Sequence, residues 1–246
     1  MSQKNPDVPK ISVVIPAYNE ENYIARCLRS LLEQSFPPEQ VEIILVDNNS
    51  TDNTVKIAQT FPRVRIIHET TPGAGVARAR GWQEARGEII ASTDADSQVP
   101  RHWLKKIVHT FDNQPQLVAV SGGYLFYDRD FIVNFIVKIF ERSLVALSWF
   151  LAGGVMALTA ANMAVRREAY LKTPGFDPNL HFGEDLNLAK KLHQYGKLKW
   201  TFNNRVKTSA RRYQSLDASV VPYVLNFLSM SARDKAWRNR LDNVRD

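Results

Sequence analysis

Short apolar runs alternate with helically spaced apolar positions along the first half of the chain. Ile11–Pro16 (ISVVIP) is rich in β-branched residues and is stopped by proline, which predicts a buried strand. Residues 20–35 follow with Ile24, Cys27, Leu28, Leu31 and Leu32 at helical spacing. Val41–Val46 (VEIILV) predicts a second strand that ends at Asp47, and Ser50-Thr51-Asp52 can cap a helix through Phe61. Val64–His68 predicts a third strand, Gly75–Arg86 a third helix, and Glu88–Thr93 a fourth strand that ends at Asp94. Strands alternating with helices of roughly 11–15 residues imply βαβ units and a parallel sheet covered on both faces.

The pattern changes after about residue 123. Residues 131–151 are dense in Phe, Ile, Leu, Val and Trp, and no charge occurs between Arg142 and Arg166. That length permits a membrane span, but Gly153-Gly154 interrupts the run and Asn162–Val165 reads as the start of a soluble element. A helix over residues 130–151 would be about 33 Å long, with Phe131, Phe135, Phe140 and Trp149 giving it a bulky apolar surface. Three placements stay open: a lipid interface, a core or dimer interface, or a span. Residues 222–246 carry Tyr223, Leu225, Phe227 and Leu228, then Arg233, Lys235, Arg238 and Arg240. They read equally as a basic amphipathic helix on anionic lipid and as a solvated helix packed on its own domain. There is no internal repeat and no low-complexity segment.

Composition narrows the class only a little. With 44% hydrophobic and 23% charged residues in 246, a core of ordinary size can form. A net charge of +7 and a pI near 9.5 suit an anionic partner: nucleic acid, acidic lipid headgroups or phosphorylated small molecules. The single Cys27 excludes an intramolecular disulfide and a cysteine-based zinc site, and its place on the apolar side of the first helix makes it a core residue. MSQKNPDVPK lacks the apolar centre of a secretory signal, so the cytoplasmic side, with peripheral contact on the inner face of the membrane, is the expected location.

Candidate chemistry collects at strand ends. Thr93-Asp94-Ala95-Asp96 directly follows the fourth strand, and ligands of α/β sheets bind beyond the carboxyl ends of the strands. Two carboxylates one residue apart can be aimed at one hard cation such as Mg²⁺ or Mn²⁺, which also bridges phosphate oxygens. Asp47 ends the second strand on the same edge, where it can cap a loop or accept from a base N–H or a ribose hydroxyl. Tyr18, just past the first strand, offers a flat ring for stacking or for packing. Arg78, near the start of the third helix, can meet a phosphate, a nucleobase or a surface carboxylate.

In that order and spacing, ISVVIPAYNEE, VEIILVDNNSTDNT, GAGVARARG and STDADS resemble the family 2 glycosyltransferases of the GT-A fold. ANMAVRREAY, GFDPNL and GEDLNLAKKLHQYGK continue the likeness, so it spans roughly residues 11–200. The resemblance implies an α/β fold with a Rossmann-like, mostly parallel sheet, a C-terminal acceptor-side region and a long apolar helix insertion. The chain then divides into a polar tail (1–10), one domain (11–221) and a terminal helix (222–246). Within the domain lie a nucleotide-sugar half (11–121), the insertion (122–161) and an acceptor and catalytic half (162–221). By the same likeness Pro16, Tyr18 and Glu20 line the nucleotide pocket and Asp47 holds the base. Asp94 and Asp96 serve nucleotide and metal, Asp96 as the direct ligand. Arg78 matches the arginine of an Ala-Arg-Asn-x-Gly pattern in which Ala79 replaces the asparagine here. Glu184 and Asp185 occupy the place of the acidic pair, with Asp185 resembling the catalytic base; Asp185 falls in the first turn of a helix, where the dipole favours the ionised form.

Arg211 and Arg212 could reach the diphosphate from a C-terminal loop, and His181 reads as an ordinary loop histidine. The Gln-x-x-Arg-Trp motif of processive relatives is absent near this position, which favours addition of one sugar at a time. The expected activity is metal-dependent, inverting transfer of one sugar from a nucleotide-diphosphate donor, UDP-linked by preference, to a hydroxyl acceptor. The greasy 131–151 segment points to a lipid-linked, polysaccharide-precursor or membrane-proximal acceptor. Two rivals are weaker. A sugar nucleotidyltransferase opens with a Gly-rich loop, which VVIPAYNEE lacks, and a basic module for membrane or nucleic acid gives no reason for Asp47, Asp94, Asp96 and Asp185. No nucleic-acid partner is therefore expected.

Overall fold

The computed structural model describes residues 8–178, 180 and 183–211; Arg212, His181 and the expected terminal helix at 222–246 lie outside them. Every residue of β1 (Ile11–Ala17) is buried. Its alternation sends Ile11, Val13 and Ile15 into one core and Val14 into another. Strand β2 (Val41–Asp47) does the same with Ile43 and Leu45 against Ile44 and Val46. A strand buried on both faces has no polar side to show in its sequence, which is why these runs read as continuously apolar.

β3 (Val64–His68) and β4 (Ile89–Ser92) complete the parallel part, β3-β2-β1-β4. The sheet continues through β6 (Met163–Arg166), β5 (Leu117–Phe126) and β7 (Lys197–Thr208) to give seven strands in the order β3-β2-β1-β4-β6-β5-β7. β6 runs antiparallel to both neighbours, and β7 is parallel to β5. Met163 of β6 lies opposite Ser92 of β4, so the antiparallel strand begins where the parallel strands end.

Helices cover both faces. α1 (Ile24–Leu32), α2 (Thr54–Gln59) and α4 (Trp103–Asn113) share one core, and α3 (Ala74–Glu84), α6 (Arg167–Leu171) and α7 (Glu184–His193) share the other. α1 is shorter than the expected 20–35 because the chain first turns on itself: the Glu20 carbonyl accepts from Tyr23 N and Ile24 N, each at 2.9 Å. Buried Asn162 ties the second half together. Its Oδ1 accepts from Trp103 Nε1 at 2.8 Å, and its Nδ2 donates to Gly123 O at 2.9 Å and Asn204 O at 2.7 Å.

Residues 131–151 form α5 (Phe131–Leu151), which Lys138, Glu141 and Arg142 interrupt. Among the described residues no helix is long and apolar enough to cross a membrane, which removes the spanning placement for this segment.

α3 sits hard against the sheet at Gly81. A Cβ there would lie 2.4 Å from Val14 Cγ1 and 2.8 Å from Val46 Cγ2. Overpacking costs about 1–3 kcal/mol, and alanine's better helix propensity returns about 1 kcal/mol. Gly81→Ala is therefore expected to lose about 1 kcal/mol net, read as a lower urea midpoint with an unchanged slope.

Candidate active site

The site grows from the ends of β1, β2 and β4, which open on one edge of the sheet. Pro16 is buried inside β1 opposite Val46. Beyond the strand, Tyr18 is 50% exposed, and Asn19 adopts a left-handed φ of 52° that turns Glu20 back into the protein, where it is buried. Asn49 after β2 has a φ of 67°, so both loops use an asparagine where most side chains would be strained.

The two loops are stitched together. Asn19 N donates to Ser50 Oγ at 3.1 Å, Thr51 N to Asn19 Oδ1 at 2.8 Å, and Glu20 N to Thr54 Oγ1 at 2.7 Å. Buried Asn48 fastens the loop before α3: its Nδ2 donates to Glu69 O and Thr71 O, each at 2.8 Å, and its Oδ1 accepts from Gly73 N at 2.7 Å. Beside it Asp47 is also buried. One of its oxygens accepts from Ser50 N at 3.2 Å, and the other lies 3.2 Å from Nδ1 of His68.

Asp94 and Asp96 follow β4 on a loop whose Thr93 and Ser97 are fully buried. Cys27 lies beneath, with its thiol 3.5 Å from the Asp94 carbonyl. Burial pushes that thiol's pKa up, and the negative charges of Asp96, Asp94 and Glu20 push it further, so Cys27 is an inert core residue.

Arg78 takes the ion-paired one of its expected placements, but buried rather than on the surface. Its side chain is 3% exposed and is turned onto protein groups. Nε donates to Ser92 Oγ at 3.1 Å, Nη2 to Asp94 Oδ1 at 3.1 Å, and Nη1 to Glu184 Oε1 at 2.9 Å. It thereby joins the loop after β4 to the first turn of α7, which lies far off in the chain. A second arginine acts likewise. Arg211 pairs with Glu20, lies 3.2 Å from Asp96 Oδ2, and stands over the Tyr23 ring at 4.4 Å from its centroid. The other oxygen of Asp96 accepts from Thr208 Oγ1 at 3.0 Å, so the end of β7 is held at the same place.

Asp185 is half-buried next to Glu184. Its Oδ1 accepts from Leu186 N at 2.8 Å and its Oδ2 from Ala160 N at 3.4 Å. Burial and then the charge of Glu184 raise its pKa to about 7, against the opposing pull of Leu186 N–H and Arg78. The helix dipole was expected to hold this carboxyl ionised. Desolvation outweighs it.

Pro16, Tyr18, Glu20, Asp47, Arg78, Asp94, Asp96, Glu184, Asp185 and Arg211 therefore sit on or beside one sheet edge. Tyr23, Asn48, Ser92, Ala160 and Thr208 also shape it; Asn48 and Ser92 lie within the conspicuous segments VEIILVDNNSTDNT and STDADS, and the other three carry no signal of their own in the sequence. As for metal, no group of three or more His, Cys, Asp or Glu side chains gathers among the described residues. Asp94 and Asp96 fit a hard cation of the kind that takes one or two carboxylates and completes its shell with phosphate oxygens and water. Their donor chemistry suits that ion, and the Arg211 guanidinium already places positive charge against Asp96.

A mixed sheet with an acidic loop after β4 and an acid pair opening α7 makes this an α/β domain with a charged cluster at its sheet edge. Residues 12–172 match the family described as Glycosyl transferase family 2, and the chain belongs to that family. The protein named probable glycosyltransferase YdaM, of Bacillus subtilis strain 168, is 26% identical over 204 residues, covering 77% of this chain and 48% of the relative. The chain thus spans about half the length of that relative. The mannosyltransferase PcManGT from Pyrobaculum calidifontis, solved with GDP-Man and Mn²⁺, superposes with a TM-score of 0.71 at 25% identity over 94% of this chain and 67% of the other. The S. aureus TarS 1–349 structure with UDP-GlcNAc gives 0.66 at 19% identity, over 90% of this chain and 66% of that one, and speaks to the fold alone.

Losing Arg78 would leave Asp94 and Glu184 facing each other without a counter-charge. Arg78→Met is expected to cost about 3 kcal/mol, and adding Asp94→Asn and Glu184→Gln should return part of it. Urea unfolding of the variants checks both steps.

Proposed function

We propose that this protein is an inverting glycosyltransferase that moves a single sugar from a nucleotide-diphosphate donor to an acceptor hydroxyl. The observation that carries the reading is the buried Arg78 bridge, which holds Asp94 and Glu184 together and so sets Asp185 beside the acidic loop. A solved relative that holds GDP-Man with Mn²⁺ supports a nucleoside-diphosphate donor, and uridine is our preferred base.

In this reading the exposed ring of Tyr18 stacks on the base. Asp47, buried at the strand end and anchored by Ser50 N–H, accepts from the base or the ribose. Asp94 and Asp96 face the diphosphate and would hold the divalent cation, Mg²⁺ or Mn²⁺. When bound, that ion supplies positive charge shared between the carboxylates and the diphosphate oxygens. Arg211 already pairs with Asp96 and offers a planar fork of donors suited to phosphate oxygens.

Asp185 is the base. Its carboxylate takes the proton of the acceptor hydroxyl as that oxygen bonds to the anomeric carbon. The bond from that carbon to the diphosphate breaks in the same step, and the nucleoside diphosphate leaves with the electron pair. Attack opposite the leaving group inverts the anomeric centre. A carboxyl with a pKa near 7 suits this work, because at neutral pH it is both substantially ionised and basic enough to accept.

A thermal-shift screen of nucleotide sugars with and without Mn²⁺ tests donor binding, since ligands that bind the native state raise its apparent stability. A rise with a UDP-sugar that requires Mn²⁺ and vanishes in Asp96→Asn is expected; no rise with any nucleotide sugar would sink the reading. Asp185→Asn should keep the shift while lowering kcat by about 10²–10⁴-fold.

The pH dependence has a definite sign. The base works ionised, so kcat/KM should climb with pH through about 7 and level off above it. The raised pKa also means that ionisation opposes folding, so Asp185 contributes stability at low pH that is lost as pH rises toward about 7. In Asp185→Asn that loss should disappear, which urea midpoints measured across the range would reveal.

A further inference from the structure

α5 is built inside out. Its polar residues at every seventh position, Asn134, Glu141 and Ser148, face the protein. Asn134 exchanges two bonds of 2.8 Å with the backbone of Phe126. Glu141 is 8% exposed and accepts from Trp200 Nε1 at 3.0 Å and Arg205 Nε at 2.8 Å. Ser148 is 1% exposed. The opposite face carries Ile132, Phe135, Ile136, Ile139, Phe140 and Phe150, exposed by 48–75%. So large an apolar face on a protein surface marks a contact.

We propose that this face lies in the interfacial layer of an anionic membrane, with the helix axis parallel to the surface. Charge selects that occupant. The two exposed charges on the helix, Lys138 and Arg142, are both cationic and one turn apart, while its one acid, Glu141, is turned inward. Two copies packed face to face would bring cations together with no acid from the helix opposite them. Anionic headgroups supply that complement while the acyl region takes the apolar ridge. The helix is about 31 Å long, and it is not apolar enough to cross.

The placement has a consequence for the catalytic edge. α5 follows directly on the end of β5, where Phe126 pairs with Thr208, and Thr208 donates to Asp96. Docking by α5 would therefore anchor the strand pair to which the acidic loop is bonded. The contact itself stands whether or not the transfer reading holds.

Co-sedimentation of the full chain with sucrose-loaded vesicles tests it, using phosphatidylcholine alone and phosphatidylcholine mixed with phosphatidylglycerol. The wild type should pellet with the mixed vesicles and less with the neutral ones. Ile139→Glu/Phe150→Glu should stay in the supernatant with an unchanged circular dichroism melt, and Ile132→Ser/Ile136→Ser should weaken pelleting in the same direction. Lys138→Glu/Arg142→Glu should lose tenfold or more in partition to the mixed vesicles, at about fivefold per cation, with little change on neutral ones. Wild type left in the supernatant with both compositions overturns the proposal. So does Ile139→Glu/Phe150→Glu pelleting like wild type, or a solution dimer that this variant splits into monomers.

Discussion

Acids crowd the open edge of this sheet, and two arginines make the crowding tolerable. Glu20, Asp94, Asp96, Glu184 and Asp185 gather where four chain segments meet, and such charges in a partly desolvated place repel strongly. Arg78 is placed between Asp94 and Glu184, and Arg211 between Glu20 and Asp96. The two differ in kind. Arg78 is fixed from below by Ser92 in the sheet and is almost wholly enclosed, so it belongs to the scaffold. Arg211 is a quarter exposed and rests on the Tyr23 ring near the rim, where a cation from solution or a ligand can compete with it. Asp185, by contrast, has among the described residues two backbone N–H groups and the reach of Arg78 to set against burial and Glu184, so its proton affinity rises. The same charge arrangement thus pairs four acids with two arginines and leaves the fifth, Asp185, basic.

The first four strands were legible because burial on both faces writes itself as unbroken apolar runs. The helices between them were legible too, though their ends drifted. β5, β6 and β7 were not. LVAVSGGYLF carries a glycine pair, and KLKWTFNNRVKT alternates basic, aromatic and polar residues because much of β7 is only half-buried at the sheet margin. The acidic positions of the site could be picked out because strand ends place them. Their partners could not, since Arg78 and Glu184 are 106 residues apart. Spacing within a motif says nothing about which distant carboxylate an arginine will meet. The composition of 131–151 was equally plain, but not its orientation, which depends on where Trp200 and Arg205 lie.

Rigidity at the edge comes from backbone geometry as much as from charge. Asn19 and Asn49 accept left-handed conformations, with the N–H of Asn19 itself donating to Ser50 Oγ and the N–H of Ser50, next to Asn49, donating to Asp47. Asn48 then holds the loop that leads into α3, the helix that carries Arg78. The chain thus fixes Tyr18 and Asp47 through loops that are hydrogen-bonded to each other and to the end of β1. A binding edge made this way can present exposed rings and carboxylates without paying for their order at the moment of binding.

The half of the sheet beyond β4 connects this edge to α5. Thr208 at the end of β7 holds Asp96, and Arg205 earlier in the same strand holds Glu141 of α5. Asp128, between β5 and α5, accepts from Ser209 Oγ at 2.6 Å and Ala210 N at 2.8 Å, fixing the backbone just before Arg211. A force that seats α5 acts on the strand that positions Asp96 and on the residue that precedes its counter-ion. Glu141 is buried and Arg205 pairs with it, so α5 is tied to β7 by charge as well as by packing. The apolar face of α5 and the acidic edge are therefore both attached to the same strand pair, β5 and β7.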